Sequence, residues 1–181
     1  MLFSREDLIK LLGPLIVEQI MTVLVGMVDV AMVAVVGEAA VSGVALVDSI
    51  SILIIQLLAA LATGGAVVCS QYIGKQRLQA ACHGAGQLIL ITVMCSVLFA
   101  GAALLGGRHL LEIIFGQAED DVMRNAAIYF RITALSYVFL ALYNSGAALF
   151  RSMGNSRVSM TASLVMNGIN IVGNAICIYG L

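Results

Sequence analysis

Tryptophan is absent from the 181 residues, aromatic side chains make up only 6% of them, and Lys, Arg, Asp and Glu together reach 10%. A soluble domain of this length needs a charged surface, and nineteen acids and bases gathered in a few places do not supply one. The net charge of −1 gives no basic field and the shortage of aromatics gives no stacking platform, which excludes nucleic-acid binding. The four cysteines, Cys69, Cys82, Cys95 and Cys177, form no CxxC pair and lie in or beside apolar runs, where thiols act as small hydrophobes. Neither a disulfide framework nor a zinc site follows from them. His83 and His109 stand isolated, without ligand spacing, and read as solvated or interfacial. No nucleophile elbow, phosphate loop, HExxH or dinucleotide fingerprint occurs in its expected setting, so an enzymatic reading has no residues to stand on. No metal site and no cofactor is expected. Proline is reduced to one, Pro14, near the start of the first apolar run, where its missing donor is tolerated.

What fills the chain is hydrophobic: 61% of it, with a mean hydropathy of +1.06, outside the balance of soluble domains. A hydrocarbon core about 30 Å thick needs about twenty mostly apolar residues per spanning helix. Five stretches supply them, near 11–36, 51–73, 80–105, 132–150 and 158–181. Between them lie GlyGluAlaAla at 37–40, GlyLysGlnArg at 74–77, a longer polar stretch at 106–124, and SerMetGlyAsnSerArg at 152–157. The pattern predicts an all-α, polytopic transmembrane bundle of about five spans in the lipid bilayer, with short connections making neighbours antiparallel. The N-terminal segment is mixed in charge, and the run after it is too long, and too poor in cleavage-site character, for a signal peptide.

Lys and Arg favour the cytoplasmic side of a membrane. An inside N-terminus leaves Arg5, Lys10, Lys75, Arg77, Arg151 and Arg157 inside, and only Arg108, Arg124 and Arg131 outside. The expected location is the plasma membrane, multi-pass, of the bacterial inner-membrane kind. Asp48 and Arg131 are expected at the outer interface, because the second and fourth spans are drawn to begin just after them; an Asp just ahead of a helix also suits its N-terminal dipole.

Polar residues inside the spans are the functional candidates. Any twenty-residue window within 11–37 contains both Glu18 and Asp29, so no placement of the first span excludes either acid. An ionised acid near the bilayer centre costs about 3 kcal/mol on insertion scales, which marks an intramembrane carboxyl as functional by default. The two stand eleven residues apart, close to three helical turns, and so project from one face, which should line a polar interior. Glu18 has a competing reading, a position near enough to the inner interface to reach water. Asp29 reads as a carboxyl that alternately holds a proton and a cation.

In the last span Asn167, Asn170 and Asn174 follow an i, i+3, i+7 spacing that aligns three amides in one stripe. Amide carbonyls ligate hard cations such as sodium, and amides also pair transmembrane helices; both readings stand. Gln56 and Thr63 in the second span, and Tyr137 and Asn144 in the fourth, share a seven-residue spacing suited to lining a cavity or to packing.

The segment ValGlyMetValAspValAlaMetValAlaValValGly at 25–37 resembles the opening helix of the multidrug and toxic compound extrusion (MATE) transporters. ValCysSerGlnTyrIleGly at 68–74 is similar to the end of that family's second helix, and AlaAlaIleTyrPheArgIle at 126–132 to the start of its fourth. PheArgSerMetGlyAsnSerArg at 150–157 and MetAsnGlyIleAsnIleValGlyAsn at 166–174 resemble its fourth-to-fifth junction and fifth helix. The resemblance covers essentially the whole chain. It implies a twelve-helix secondary antiporter of two six-helix lobes, exporting organic cations or amphiphiles against sodium or protons, with this chain as a partial N-terminal lobe. On that resemblance Asp29 matches the acidic ion-coupling position of the first helix and Asn170 a polar position of the fifth. Asn174 stands where one branch of the family has Asp, which puts in doubt any relay needing two acids. A five-helix bundle ending at Leu181 reads as incomplete, and a lone half is expected to be inactive in dye efflux, because alternating access rocks one lobe against the other. The remaining helices of the same transporter are the implied partners. Two alternatives stay open: a lipid-linked precursor flippase, which should show basic residues in the membrane, and a non-transporting membrane scaffold subunit whose polar groups serve only to pair helices.

Overall fold

The computed structural model describes residues 5–116 and 118–179, with side chains described from Ile9 onward, except at Lys10 and Tyr179. Five helices follow in order: α1 Arg5–Ala34, α2 Glu38–Gly74, α3 Leu78–Phe115, α4 Asp120–Ser152 and α5 Ser156–Tyr179. Each is long and apolar enough to cross a membrane. Residues 180 and 181, which end the expected last span, lie outside the described residues, as do the side chains of Arg5 and Lys10.

The helices overrun the apolar windows. α2 already begins at Glu38, so Asp48 lies well inside a helix and not ahead of one, and Arg131 likewise sits within α4. The polar stretch 106–124 is mostly helical: α3 runs on to Phe115 and α4 starts at Asp120. Polarity there reflects solvation of the helix ends, and the backbone stays helical because nothing interrupts its bonding before Gly116. Pro14 is inside α1, because the helix reaches back to Arg5; it forgoes one backbone bond without ending the helix.

The connections are tight. After α2 the N–H of Arg77 donates to the carbonyl of Tyr72 at 2.9 Å and that of Gln76 to Ile73 at 2.9 Å. After α4 the N–H of Asn155 donates to Phe150 at 2.9 Å and that of Gly154 to Arg151 at 3.0 Å. Both are Schellman closures, with a left-handed residue at φ 57° (Gln76) and φ 79° (Gly154).

α2, α3 and α4 form the packed core. Val47, Leu111, Phe130, Ala134 and Tyr137 are buried together, and small residues let the backbones approach. At Gly43 a Cβ would meet the Ala126 nitrogen at 3.0 Å. Inside this core Ser51 and Tyr137 share a hydrogen bond of 2.9 Å, and Thr92 and Ser145 one of 2.7 Å. The outer faces carry apolar side chains such as Leu105 (93% exposed) and Phe139 (73%), a surface suited to lipid.

α1 and α5 stand beside this core as a pair. α1 packs chiefly against α5 and only slightly against α2, while α5 also touches α4. Their shielded residues are few. Among the described residues α1 buries Val25, and α5 buries only Ser156, Ser159 and Ser163.

Candidate functional site

The α1–α5 seam carries Glu18 and Asp29, both within the apolar, span-length part of α1. α1 and α5 run parallel, and the face shared by Glu18 and Asp29 is turned to α5. Near the far end, Asn174 Nδ2 donates to Asp29 Oδ1 at 2.9 Å. The Asn170 amide, turned so that its nitrogen faces the carboxylate, lies 3.0 Å from each Asp29 oxygen. Asp29 is half-buried, Asn174 likewise, and Asn170 is exposed. The i, i+4 spacing of the two amides puts them on one side of α5, so a single carboxylate meets both.

Glu18 forms a second cluster, about 16 Å along the seam by helical rise. Tyr143 Oη donates to Glu18 Oε1 at 2.9 Å and Ser159 Oγ to Oε2 at 3.1 Å. The Arg151 guanidinium stands 3.8 Å from Oε1, and the Glu18 side chain is only 14% exposed. This acid therefore joins α1, α4 and α5. It faces a helix junction with its charge answered by a cation and two hydroxyls, and does not stand open to bulk water.

The remaining candidates are distributed differently. Asn167 Nδ2 reaches Ser163 Oγ of its own helix at 3.5 Å and is not brought to Asp29. Tyr137 is fully buried in the α2–α4 core with its hydroxyl on Ser51, a packing position and not a cavity wall. Gln56 is exposed on α2, and Thr63, also exposed, bonds back to Ala59. Asn144 is half-buried without a hydrogen-bond partner among the described residues. Asp48 receives Tyr129 Oη at 3.4 Å, which ties α2 to α4. His83 and His109 are exposed.

Sequence reasoning did not single out Tyr143, Ser159 or Arg151 as partners of Glu18. One signal was present: Glu18 lies near the N-terminal end of its apolar window and Arg151 just past the C-terminal end of the fourth, ends that antiparallel connectivity puts on one side, so opposite charges share one level.

Chemically, the Asp29 cluster offers two carboxylate oxygens and two carboxamides that rotate to present either N–H or carbonyl. That set serves a protonated carboxyl, a bare carboxylate or a hard cation.

Known proteins share this architecture. The MatE family model matches residues 14–176. The sequence is 27% identical to the uncharacterized transporter YisQ of Bacillus subtilis, over 97% of this chain and 38% of that protein. It is 25% identical to the probable multidrug resistance protein NorM of Thermotoga maritima, again over 97% of this chain and 38% of that protein. Among solved structures, a MOP superfamily transporter from Pyrococcus furiosus superposes with a TM-score of 0.89 at 22% identity, covering 96% of this chain and 38% of that one; this likeness establishes the fold. The chain thus spans 38% of the length of the relatives it matches.

Proposed function

The chain belongs to the MatE family, and from that premise we propose that it forms part of a multi-pass secondary transporter that exports small organic cations or amphiphiles in exchange for sodium ions or protons. Its relatives are transporters and not enzymes. The observation that supports the coupling role is Asp29 held at 2.9–3.0 Å by two amides of α5. A half-turn of either amide exchanges its N–H for its carbonyl. The same three residues then supply four hard oxygens, part of a shell for a sodium ion that water completes. With Asp29 protonated, the amides return as partners of a neutral acid. Ion exchange at this seam changes the charge between α1 and α5, and the remaining helices of the transporter convert that change into alternating access.

Lys75 and Arg77 at the α2–α3 turn and Arg151 and Arg157 about the α4–α5 turn support a cytoplasmic location for that end, and with it a cytoplasmic N-terminus in the plasma membrane of a bacterium.

A scaffold reading draws on the same geometry, since amides donating to a carboxylate also pair helices. Thermal unfolding of the chain in lipid nanodiscs separates the two, with sodium chloride compared against choline chloride at equal ionic strength and across pH. Sodium at a hundred times its Kd is expected to add about 2.7 kcal/mol, and Asp29→Asn to remove that increment. No sodium effect and no pH effect traceable to Asp29 would overturn the coupling role and favour the scaffold.

A further inference from the structure

α5 carries the same spacing twice. Ser156, Ser159 and Ser163 are separated by three and four residues, and so are Asn167, Asn170 and Asn174. The second ladder lies eleven residues beyond the first, and eleven residues also separate Glu18 from Asp29 on α1. The contacts keep that register: Glu18 takes the middle serine, Ser159, and Asp29 takes the middle asparagine, Asn170, together with Asn174. A shift of α1 by three residues toward the α4–α5 turn therefore brings Glu18 level with Ser156 and Asp29 level with Asn167, with Asn170 still close by.

Three independent observations favour that second register. The Ser156 hydroxyl is buried, at 2% residue exposure, and has no hydrogen-bond partner among the described residues. Arg151, in the last turn of α4 on the same side, stands 3.8 Å from Glu18, a gap that such a shift closes. Asn167 holds only a 3.5 Å contact to Ser163, readily exchanged for a carboxylate. Among the described residues α1 packs chiefly on α5 and only slightly on α2, so the α1–α5 seam sets its register here.

We propose that Ser156 and Asn167 are a second set of partners for the two acids, and that α1 ratchets by about one turn along α5 between the registers Glu18–Ser159 with Asp29–Asn170 and Glu18–Ser156 with Asp29–Asn167. Packed helices exchange between discrete registers because intermediate positions leave side chains unmatched. A half-step here leaves both acids between donors, which makes the two end positions the stable ones. In the shifted register Glu18 leaves Tyr143 and draws closer to Arg151, which it already faces at 3.8 Å, so Tyr143 favours the observed state. The role of Asp29 as the ion-responsive group rests on the function proposed above; the ratchet itself does not.

The test is a spin-label distance between Val17 of α1 and Val172 of α5, both exposed and well separated along the seam, in the full chain in nanodiscs with its four native cysteines replaced by serine. Three residues of helical rise move the labels apart by about 4.5 Å. Two populations differing by about that distance are expected. Ser156→Ala should deplete the longer one about tenfold, the loss matching one hydrogen bond to a charged group, and Ser159→Ala should enrich it. A matched pair on α2 and α4, Leu57 with Phe139, should stay unchanged in both variants, which separates a register shift from general loosening. A single distance that neither serine variant moves overturns the ratchet, and so does a change of equal size in the α2–α4 pair. If the serine variants shift the populations while sodium, pH and Asp29→Asn do not, the ratchet stands and the ion-coupling role of Asp29 falls.

Discussion

Removing one amide from Asp29 leaves a carboxylate short of a donor inside a helix seam. Asn174→Leu is expected to destabilise the chain by about 1–3 kcal/mol in thermal or denaturant unfolding in detergent, because the surviving oxygen keeps its desolvation cost without its partner. Asn144→Leu, one helical face away and unpartnered among the described residues, should change little by the same measure. Tyr143→Phe deletes the 2.9 Å bond to Glu18 and should cost about 1–2 kcal/mol, since the acceptor is a carboxylate. Neighbours on a helix differ by about 100° of rotation, so Tyr143 reaches the acid and Asn144 does not. The acids and the asparagine stripe were legible in the sequence because periodicity within one helix is a local property. Tyr143 and Ser159 were not, because their role depends on the register between helices, which no single helix encodes. Asn167 shows the same limit from the other side: it has the right spacing on α5 but lies one turn short of Asp29.

At the scale of the element, close approach carries more of the architecture than individual side chains do. A Cβ on Gly43 would meet backbone atoms of Ala126 and Val122 at 3.0 and 3.1 Å, and backbone cannot swing aside. Gly43→Leu should therefore force α2 from α4 and cost about 1–3 kcal/mol, read as a lower unfolding midpoint together with loss of the Asp48–Tyr129 contact. The left-handed Gly154 closes the α4–α5 turn, and a β-branched residue there, as in Gly154→Val, should cost about 1–2 kcal/mol by the same assay. The number of helices and their lipid-facing character were readable from apolar run length. Their ends were not, because hydropathy reports where oil begins and helix bonding continues into water. Asp48 illustrates the consequence: drawn as a helix-capping interfacial acid, it lies a good way inside α2, where it answers Tyr129.

At the scale of the whole chain, a tight three-helix core stands beside an α1/α5 pair with few buried residues among those described. Core helices hold their place through buried alanines and paired hydroxyls, while the seam is held by a few charge-assisted contacts at two levels. The same division explains why family resemblance was readable from short motifs in order while the two-level seam was not: the motifs follow chain order, and the seam exists only after α1 and α5 meet. Orientation is testable at this scale. A cysteine at Gln76 should react with an impermeant maleimide only after the membrane is opened, and one at Ala118 should react in intact cells; the reverse result would invert the proposed topology.

α3 has 38 residues, about 57 Å of helix against about 30 Å of hydrocarbon, and α2 and α4 are nearly as long. Helices of that length are expected to reach past the hydrocarbon, which would put the α3–α4 knuckle carrying the Arg108–Glu112 and Asp121–Arg124 ion pairs in water. An antibody fragment or nanobody could grip that knuckle from the aqueous side, giving a fiducial for imaging and a handle for purification that leaves the α1–α5 seam untouched.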